Sequence, residues 1–213
     1  MQTFSNISGA AIVDKLILVI QENKQYLSDI DGLIGDGDHG INMNKGFTMC
    51  REELDKNPGN MAYGLKVLAK ILMMKIGGSM GPLYGKFFKA IALSLEGKEE
   101  IGIDEMGAAL KAAIEAIASI SPAKVGDKTM IDTLIPALAA YEKVQQEGKS
   151  FTEALEAMKE AAIIGRDSTK DMVAKLGRAS RLGERSRGVL DAGATSCCLI
   201  LETIGSGANS LVK

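Results

Sequence analysis

Apolar residues recur at i, i+3, i+4 and i+7 through eight successive segments, near residues 5–27, 40–54, 60–75, 82–96, 104–121, 130–147, 151–169 and 193–207. Ala, Leu, Met, Glu and Lys dominate them, as stable helices require. No segment shows sustained strand-type alternation, so the pattern predicts an all-α protein. Eight helices joined in sequence form an antiparallel up-and-down bundle or barrel. The last segment, Ala194-Thr-Ser-Cys-Cys-Leu-Ile-Leu201, is apolar nearly all round and is expected at the centre. With no internal repeat, low-complexity tract or Pro/Ser-rich linker, residues 1–213 read as one domain.

An up-and-down arrangement sorts connections between two ends. After the second, fourth and sixth segments come NPGN, EGKEEIG and QEGKS, which are short, polar turn material. After the first, third, fifth and seventh come DGLIGDGDHG, GGSMGP, SPAKVGDKTM and KDMVAKLGRASRLGERSRGVLDAG. All the unusual loops therefore fall on one rim, where a rigid scaffold can carry a ligand site.

The first of these loops contains G-x-G-x-x-G at Gly35, Gly37 and Gly40. A dinucleotide fingerprint must follow a buried strand, and Gly35 follows a helix, so that match is accidental. The EF-hand pattern fails because Gly40 stands where an oxygen ligand is needed, and Walker A fails at Lys86 for lack of the earlier glycine. Asp31, Asp36 and Asp38 crowd within eight residues. Like charges so close repel by ~1 to 4 kcal/mol per pair, and a cation between them removes that cost. Hard oxygen donors favour Mg²⁺ or Ca²⁺, and Mg²⁺ characteristically joins few carboxylates to substrate phosphates. The alternative is that the three are turn formers and the cap of the second helix.

The remaining rim loops bear on that choice. Gly77-Gly-Ser-Met-Gly-Pro82 opens the fourth helix, where free N–H groups and the helix dipole suit an anion. In Gly126-Asp-Lys-Thr-Met130, Asp127 or Thr129 reads as a cap, and Met130 offers soft apolar surface to a nucleobase. Arg178, Arg181, Arg185 and Arg187 stand among glycines in the last loop, which suits either a phosphate-gripping lid or a solvated connector.

Composition narrows the class. A net charge of −2 gives no reason to expect nucleic acid or an anionic membrane, and the absence of Trp leaves little for base stacking. The apolar run Leu16–Ile20 is too short to span a bilayer and the amino terminus lacks a basic region, so a cytoplasmic protein is expected. Cys50, Cys197 and Cys198 lack metal-site spacing and read as buried, reduced thiols.

Asp31, IGDGDHGINMNKGF, GGSMGPLYG, GDKTMIDTL and GRASRLGERSRGVLDAGATS together resemble the nucleotide-binding (L) subunit of bacterial dihydroxyacetone kinase, over essentially the whole chain. The resemblance implies an eight-helix barrel with ADP or ATP on one rim. It assigns Asp31, Asp36 and Asp38 to two Mg²⁺ ions that bridge to phosphate, making them the catalytic set through metal. His39, Gly40, Ile41 and Asn42 match the loop that follows. Gly78, Ser79 and Met80 match the helix start under the phosphates, Met130 the adenine pocket, and Arg178 with Asp191, Ala192 and Gly193 the closing lid. Two departures stand out. The family commonly has a small residue then Ser before Gly-Pro-Leu, so which hydroxyl near Ser79-Met80 meets phosphate is open; Ala192 replaces a common proline, which implies a looser turn into the last helix.

Nothing in the chain resembles a triose-binding site. The resemblance therefore implies the form served by the phosphotransferase system, in which a separate K subunit holds dihydroxyacetone and the phosphohistidine-carrying M subunit rephosphorylates bound ADP. Alternatives are an ATP-exchanging kinase subunit and a nucleotide-sensing partner of a transcription regulator. A fatty-acid kinase would need a longer chain.

Overall fold

The computed structural model describes residues 2–213. Among these residues lie nine α-helices: α1 (Ala10–Glu22), α2 (Lys24–Ile34), α3 (His39–Lys56), α4 (Met61–Lys75), α5 (Met80–Leu95), α6 (Ile103–Ala118), α7 (Ile131–Gln146), α8 (Phe151–Ser168) and α9 (Ala192–Asn209). Seven of the eight expected helices appear within a few residues of their expected limits. The first is two helices, because Asn23 breaks it. Its side-chain amide donates to the carbonyl of Val19 at 2.8 Å, sharing it with its own backbone N–H, and α2 begins at Lys24.

The eight-membered ring is made of α1 and α3–α9, each packed on the next, with α9 closing on α1; α2 lies across one end against α3 and α9. Alternate members run antiparallel. Local signals fix the helix starts: Asn60 accepts from Tyr63 N at 2.9 Å, Ser150 and Glu153 form a capping box, and Asp191 accepts from Ala194 N at 2.7 Å. Asp191 caps the turn in which Ala192 stands.

Side chains from every ring helix meet in one core, with Phe47, Tyr84, Phe87 and Phe88 interlocked near its middle. The helix expected at the centre, α9, is a ring member that buries 12 of its 18 residues against α1, α2, α7 and α8. Pro136 removes the N–H that would bond to the Asp132 carbonyl, and Gly165 of α8 packs where a Cβ would come within 2.3 Å of that oxygen. The three cysteines are free and buried, as expected, and burial pushes the Cys50 and Cys198 thiols up to about 12.

One end of the barrel is closed by a short antiparallel ribbon, β1 (Thr3–Ser5) on β2 (Glu100–Gly102). Three-residue strands are too short for alternation to be read in a sequence. At the other end the four long connections converge. The last connection, expected only as a loop, folds into 3₁₀ turns at Thr169–Asp171 and Ala179–Ser186. Among the described residues no helix is long and apolar enough to cross a membrane.

Candidate functional site

The acidic cluster is built from two helices and the turn between them. Asp31 sits in the last turn of α2 rather than in the loop, Asp36 in the turn, and Asp38 at the start of α3. Glycine makes the turn possible: Gly35 N donates to Asp31 O at 2.5 Å, where any Cβ would strike the Asp31 carboxylate, and Gly37 adopts φ +74°. One carboxylate oxygen from each aspartate lies within 4.8 Å of the others. Partial desolvation, then the Asp36 and Asp31 charges, hold Asp38 above its ordinary range. Asp38 caps no backbone N–H of α3, whereas Asp31 accepts from His39 N at 3.3 Å. The cap reading therefore does not hold for Asp38. Arg178 from the last connection forms an ion pair with Asp36.

Beside the cluster opens a cavity of about 360 Å³ to which all four rim connections contribute. Its volume lies in the range of small-molecule sites. Gly77 and Gly78 form one wall; a Cβ at either would meet nothing within 4 Å, and Gly78 has φ +72°. The adjoining start of α5 has no side-chain cap, so its first-turn N–H groups are free of side-chain partners. An apolar wall faces them, made by Leu83, Ile117, Pro122, Ala123, Met130 and Leu176. The loop before α7 is braced from below by buried Asp132, which accepts from Gly126 N at 2.5 Å and Thr129 N at 2.7 Å. Thr129 caps the helix as expected, its Oγ1 accepting from Ile131 N at 3.2 Å, while Asp127 accepts from Lys124 N at 2.8 Å within the loop.

The floor is a short polar chain. His39 Nε2 lies 2.8 Å from Ser196 Oγ, Ser196 Oγ lies 2.7 Å from Tyr84 Oη, and Tyr84 Oη donates to Gly193 O at 3.0 Å. Ser196 Oγ also donates to Gly193 O at 3.2 Å, so the chain can be satisfied with His39 Nε2 either donating to or accepting from Ser196. Burial lowers the imidazole to about 4, against a smaller opposing pull from Asp31, so it is neutral at physiological pH. Asp191, desolvated beside this chain, is pushed up to about 6.

Of the residues singled out from the sequence, Asp31, Asp36, Asp38, His39, Asn42, Gly78, Ser79, Met80, Met130, Arg178, Asp191, Ala192 and Gly193 line this one cavity. Gly40, Ile41, Arg181, Arg185 and Arg187 do not, and Arg187 is committed instead to Glu184 and the Asp171 carbonyl. Gly40 permits α2 and α3 to touch, since a Cβ there would lie 2.0 Å from Lys24 O, and Ile41 is 52% exposed. Sequence reasoning missed most of the apolar wall and the Tyr84–Ser196 floor. Their spacing is that of ordinary core residues, so no local signal marks them.

The chain matches the family model described as the DAK2 domain over residues 33–206. It is 36% identical over 190 residues to the PEP-dependent dihydroxyacetone kinase 2 ADP-binding subunit DhaL of Listeria innocua, covering 87% of each chain. It is 34% identical over 194 residues to the corresponding Escherichia coli subunit, covering 89% of this chain and 91% of that one. It is 39% identical over 186 residues to the PTS-dependent subunit of Lactococcus lactis, covering 87% and 88%. Its fold is similar to that of the dihydroxyacetone kinase from C. freundii, solved with AMP-PNP and Mg²⁺. That match has TM-score 0.66 and 23% identity, and covers 93% of this chain and 33% of that one. With a matched core that includes Asp36, Asp38 and every cavity loop, and with relatives covered nearly end to end, the chain belongs to the DAK2-domain family, among the ADP-binding subunits of dihydroxyacetone kinase.

Proposed function

We propose that this chain, as one domain over residues 1–213, is the ADP-carrying subunit of a cytoplasmic phosphoenolpyruvate-dependent dihydroxyacetone kinase. In this reading it takes a phosphoryl group from a phosphohistidine M subunit and passes it to dihydroxyacetone held on a separate K subunit. The observation that carries the reading is the joining of the three-carboxylate cluster to the open glycine wall in one cavity.

The residues present fit magnesium and a nucleotide. Three carboxylates within 4.8 Å are a hard-oxygen donor set, and Asp38 is already held above its ordinary range by partial desolvation and then by its two neighbours. A diphosphate adds further negative charge beside them, which two dications balance better than one, so Asp31, Asp36 and Asp38 hold two Mg²⁺ ions. Bound there, magnesium supplies charge neutralisation and alignment of the phosphates, the main need in phosphoryl transfer. Gly77 and Gly78 let the backbone approach phosphate without a side chain between, and the start of α5 presents N–H groups to it. Met130 and the apolar wall take the base. His39, kept neutral and fixed in orientation by Ser196, adds no positive charge of its own to hold the phosphates. Arg178 spans from the last connection to the acidic cluster, so that connection covers the cavity.

Transfer into the site breaks the phosphohistidine P–N bond as an ADP β-phosphate oxygen attacks; transfer out breaks the new P–O bond as a triose hydroxyl attacks and loses its proton. Nucleotide therefore returns to ADP each cycle. With K subunit, dihydroxyacetone and a phosphohistidine donor, catalytic amounts of ADP-loaded protein should sustain dihydroxyacetone phosphate formation. Excess ATP alone should support little beyond one turnover. Sustained turnover with ATP and no donor would overturn the coenzyme reading in favour of an ATP-exchanging kinase.

A further inference from the structure

Lys128 combines two costs in one residue. It is a non-glycine residue at φ +61°, a left-handed conformation that a side chain disfavours by roughly 1–2 kcal/mol. It is also 1% exposed, so its ammonium is withdrawn from water. Its Nζ donates to Thr169 O at 2.6 Å and to Val189 O. Those carbonyls stand at the two ends of the last connection. Between them the chain projects over the cavity and supplies Leu176, Gly177, Arg178 and Ala179 to its lining. The neck is also tied by Gly188 N to Lys170 O at 2.7 Å and Asp191 N to Thr169 Oγ1 at 3.0 Å, but Lys128 comes from a different element, the loop before α7. A second tie, Lys175 N to Asp127 O at 3.1 Å, joins the same two loops further out.

We infer that Lys128 is a positioning residue, the anchor that clamps both ends of the covering segment 170–189 and so sets how long nucleotide stays in the cavity. The ammonium itself is committed to carbonyls and does not serve as a phosphate ligand. A charged donor suits the task because one Nζ carries several N–H groups and can bridge two carbonyls from opposite strands of the neck, each a charge-assisted bond. Replacing it leaves both buried oxygens without that partner, while the exposed remainder of the segment has few apolar contacts to hold it.

The nucleotide half of this inference rests on the function proposed above; the anchoring half does not, and the experiment separates them. Lys128→Gly relaxes the left-handed backbone and removes the ammonium, whereas Lys128→Met keeps the backbone demand and most of the aliphatic stem. In nucleotide-free protein, amide exchange across 172–188 should be about tenfold or more faster in both variants, with α4 and α5 amides unchanged, as loss of two charge-assisted bonds predicts. ADP with Mg²⁺ should then dissociate about tenfold or more faster from both. Segment exchange within about twofold of wild type in both variants overturns the anchor. So does a wild-type rate in Lys128→Met alone, which assigns the effect to packing or backbone, and so does loss of core protection in both. A wild-type protein that fails to bind ADP with Mg²⁺ overturns the nucleotide reading, while the exchange comparison still decides the anchor.

Discussion

Asn6 and Asp38 are both short polar side chains beside a helix amino terminus, at opposite rims of the barrel, and the chain disposes of them in opposite ways. Asn6 is 2% exposed, and its amide donates to Leu95 O at 2.9 Å and Lys98 O at 2.8 Å while its oxygen accepts from Ala62 N at 3.0 Å. It thereby sews the end of α5 to the start of α4 beneath the β1–β2 ribbon. The same rim stacks Phe4 on Phe151, bonds Thr152 N to Gln2 and ties Lys213 N to Thr3 O. Asp38 is exposed, caps no N–H of α3 and shares its surroundings with two further carboxylates. One rim satisfies its polar groups internally; the other leaves charge and glycine backbone for something to complete. Substitution should therefore cost stability at the first and ligand binding at the second.

The largest expected effect is at the open rim. Asp38→Asn should weaken ADP·Mg²⁺ binding by at least about 100-fold, which cuts the ~2.7 kcal/mol of stabilisation that nucleotide at 100 times its dissociation constant gives the wild type to about 0.4 kcal/mol or less. Without nucleotide the variant should be as stable as wild type or slightly more so, because a repelling charge has gone. Thermal melts with and without ADP and Mg²⁺ measure both. Equal ADP stabilisation of mutant and wild type would sink the metal assignment.

Asn6→Ala should show the reverse. Three partners lose their bonds at once, two of them, Leu95 O and Ala62 N, buried, and at roughly 1–3 kcal/mol for an unsatisfied buried group the net loss after relaxation is about 3 kcal/mol. Urea unfolding should reveal it, and ADP affinity should stay within about twofold of wild type, since the site lies at the far rim. A variant that kept its stability but lost nucleotide would break the division between the rims.

How much of this division was legible beforehand depends on what kind of signal each rim leaves. The open rim announces itself through composition, because Asp31, Asp36, Asp38, Gly77, Gly78 and Arg178 are residue types that a plain helical turn does not require. The closed rim is silent: Asn6 is one polar residue among short turns, and its partners lie 56 to 92 residues away. Periodicity located the ring helices, but it carried straight through Asn23, since Leu27 and Ile30 continue the apolar spacing of α1. That missed break is what places Asp31 on a helix rather than in the loop. Nothing in the sequence around Lys128 marks it as buried, and only the neck formed by Thr169 and Val189 shows what it bonds.

Asp191 lies at the open rim but is treated like a closed-rim residue, so its titration gives the smallest and sharpest test. It caps α9 through Ala194 N, and desolvation raises its carboxyl from the ordinary value of 3.8 to about 6, the cap and Lys128 opposing the rise. A group whose folded pKa is raised lends stability that is complete below the unfolded value and is lost as pH rises through the folded one. The folded protein should therefore lose stability from about pH 4 through about pH 7 on account of Asp191, most of it by pH 6. The shift caps the effect at roughly 1.4 kcal/mol per pKa unit, and with the site partly open to water about 1 kcal/mol is expected. Asp191→Asn keeps a good cap and abolishes the titration. The stability of nucleotide-free wild type minus that of the variant should fall by about this amount across the window and run level above about pH 7. A level difference from pH 4 to 7 would show that Asp191 titrates like an exposed carboxylate and belongs with the open rim after all; a rising one would mean that the Lys128 charge outweighs burial.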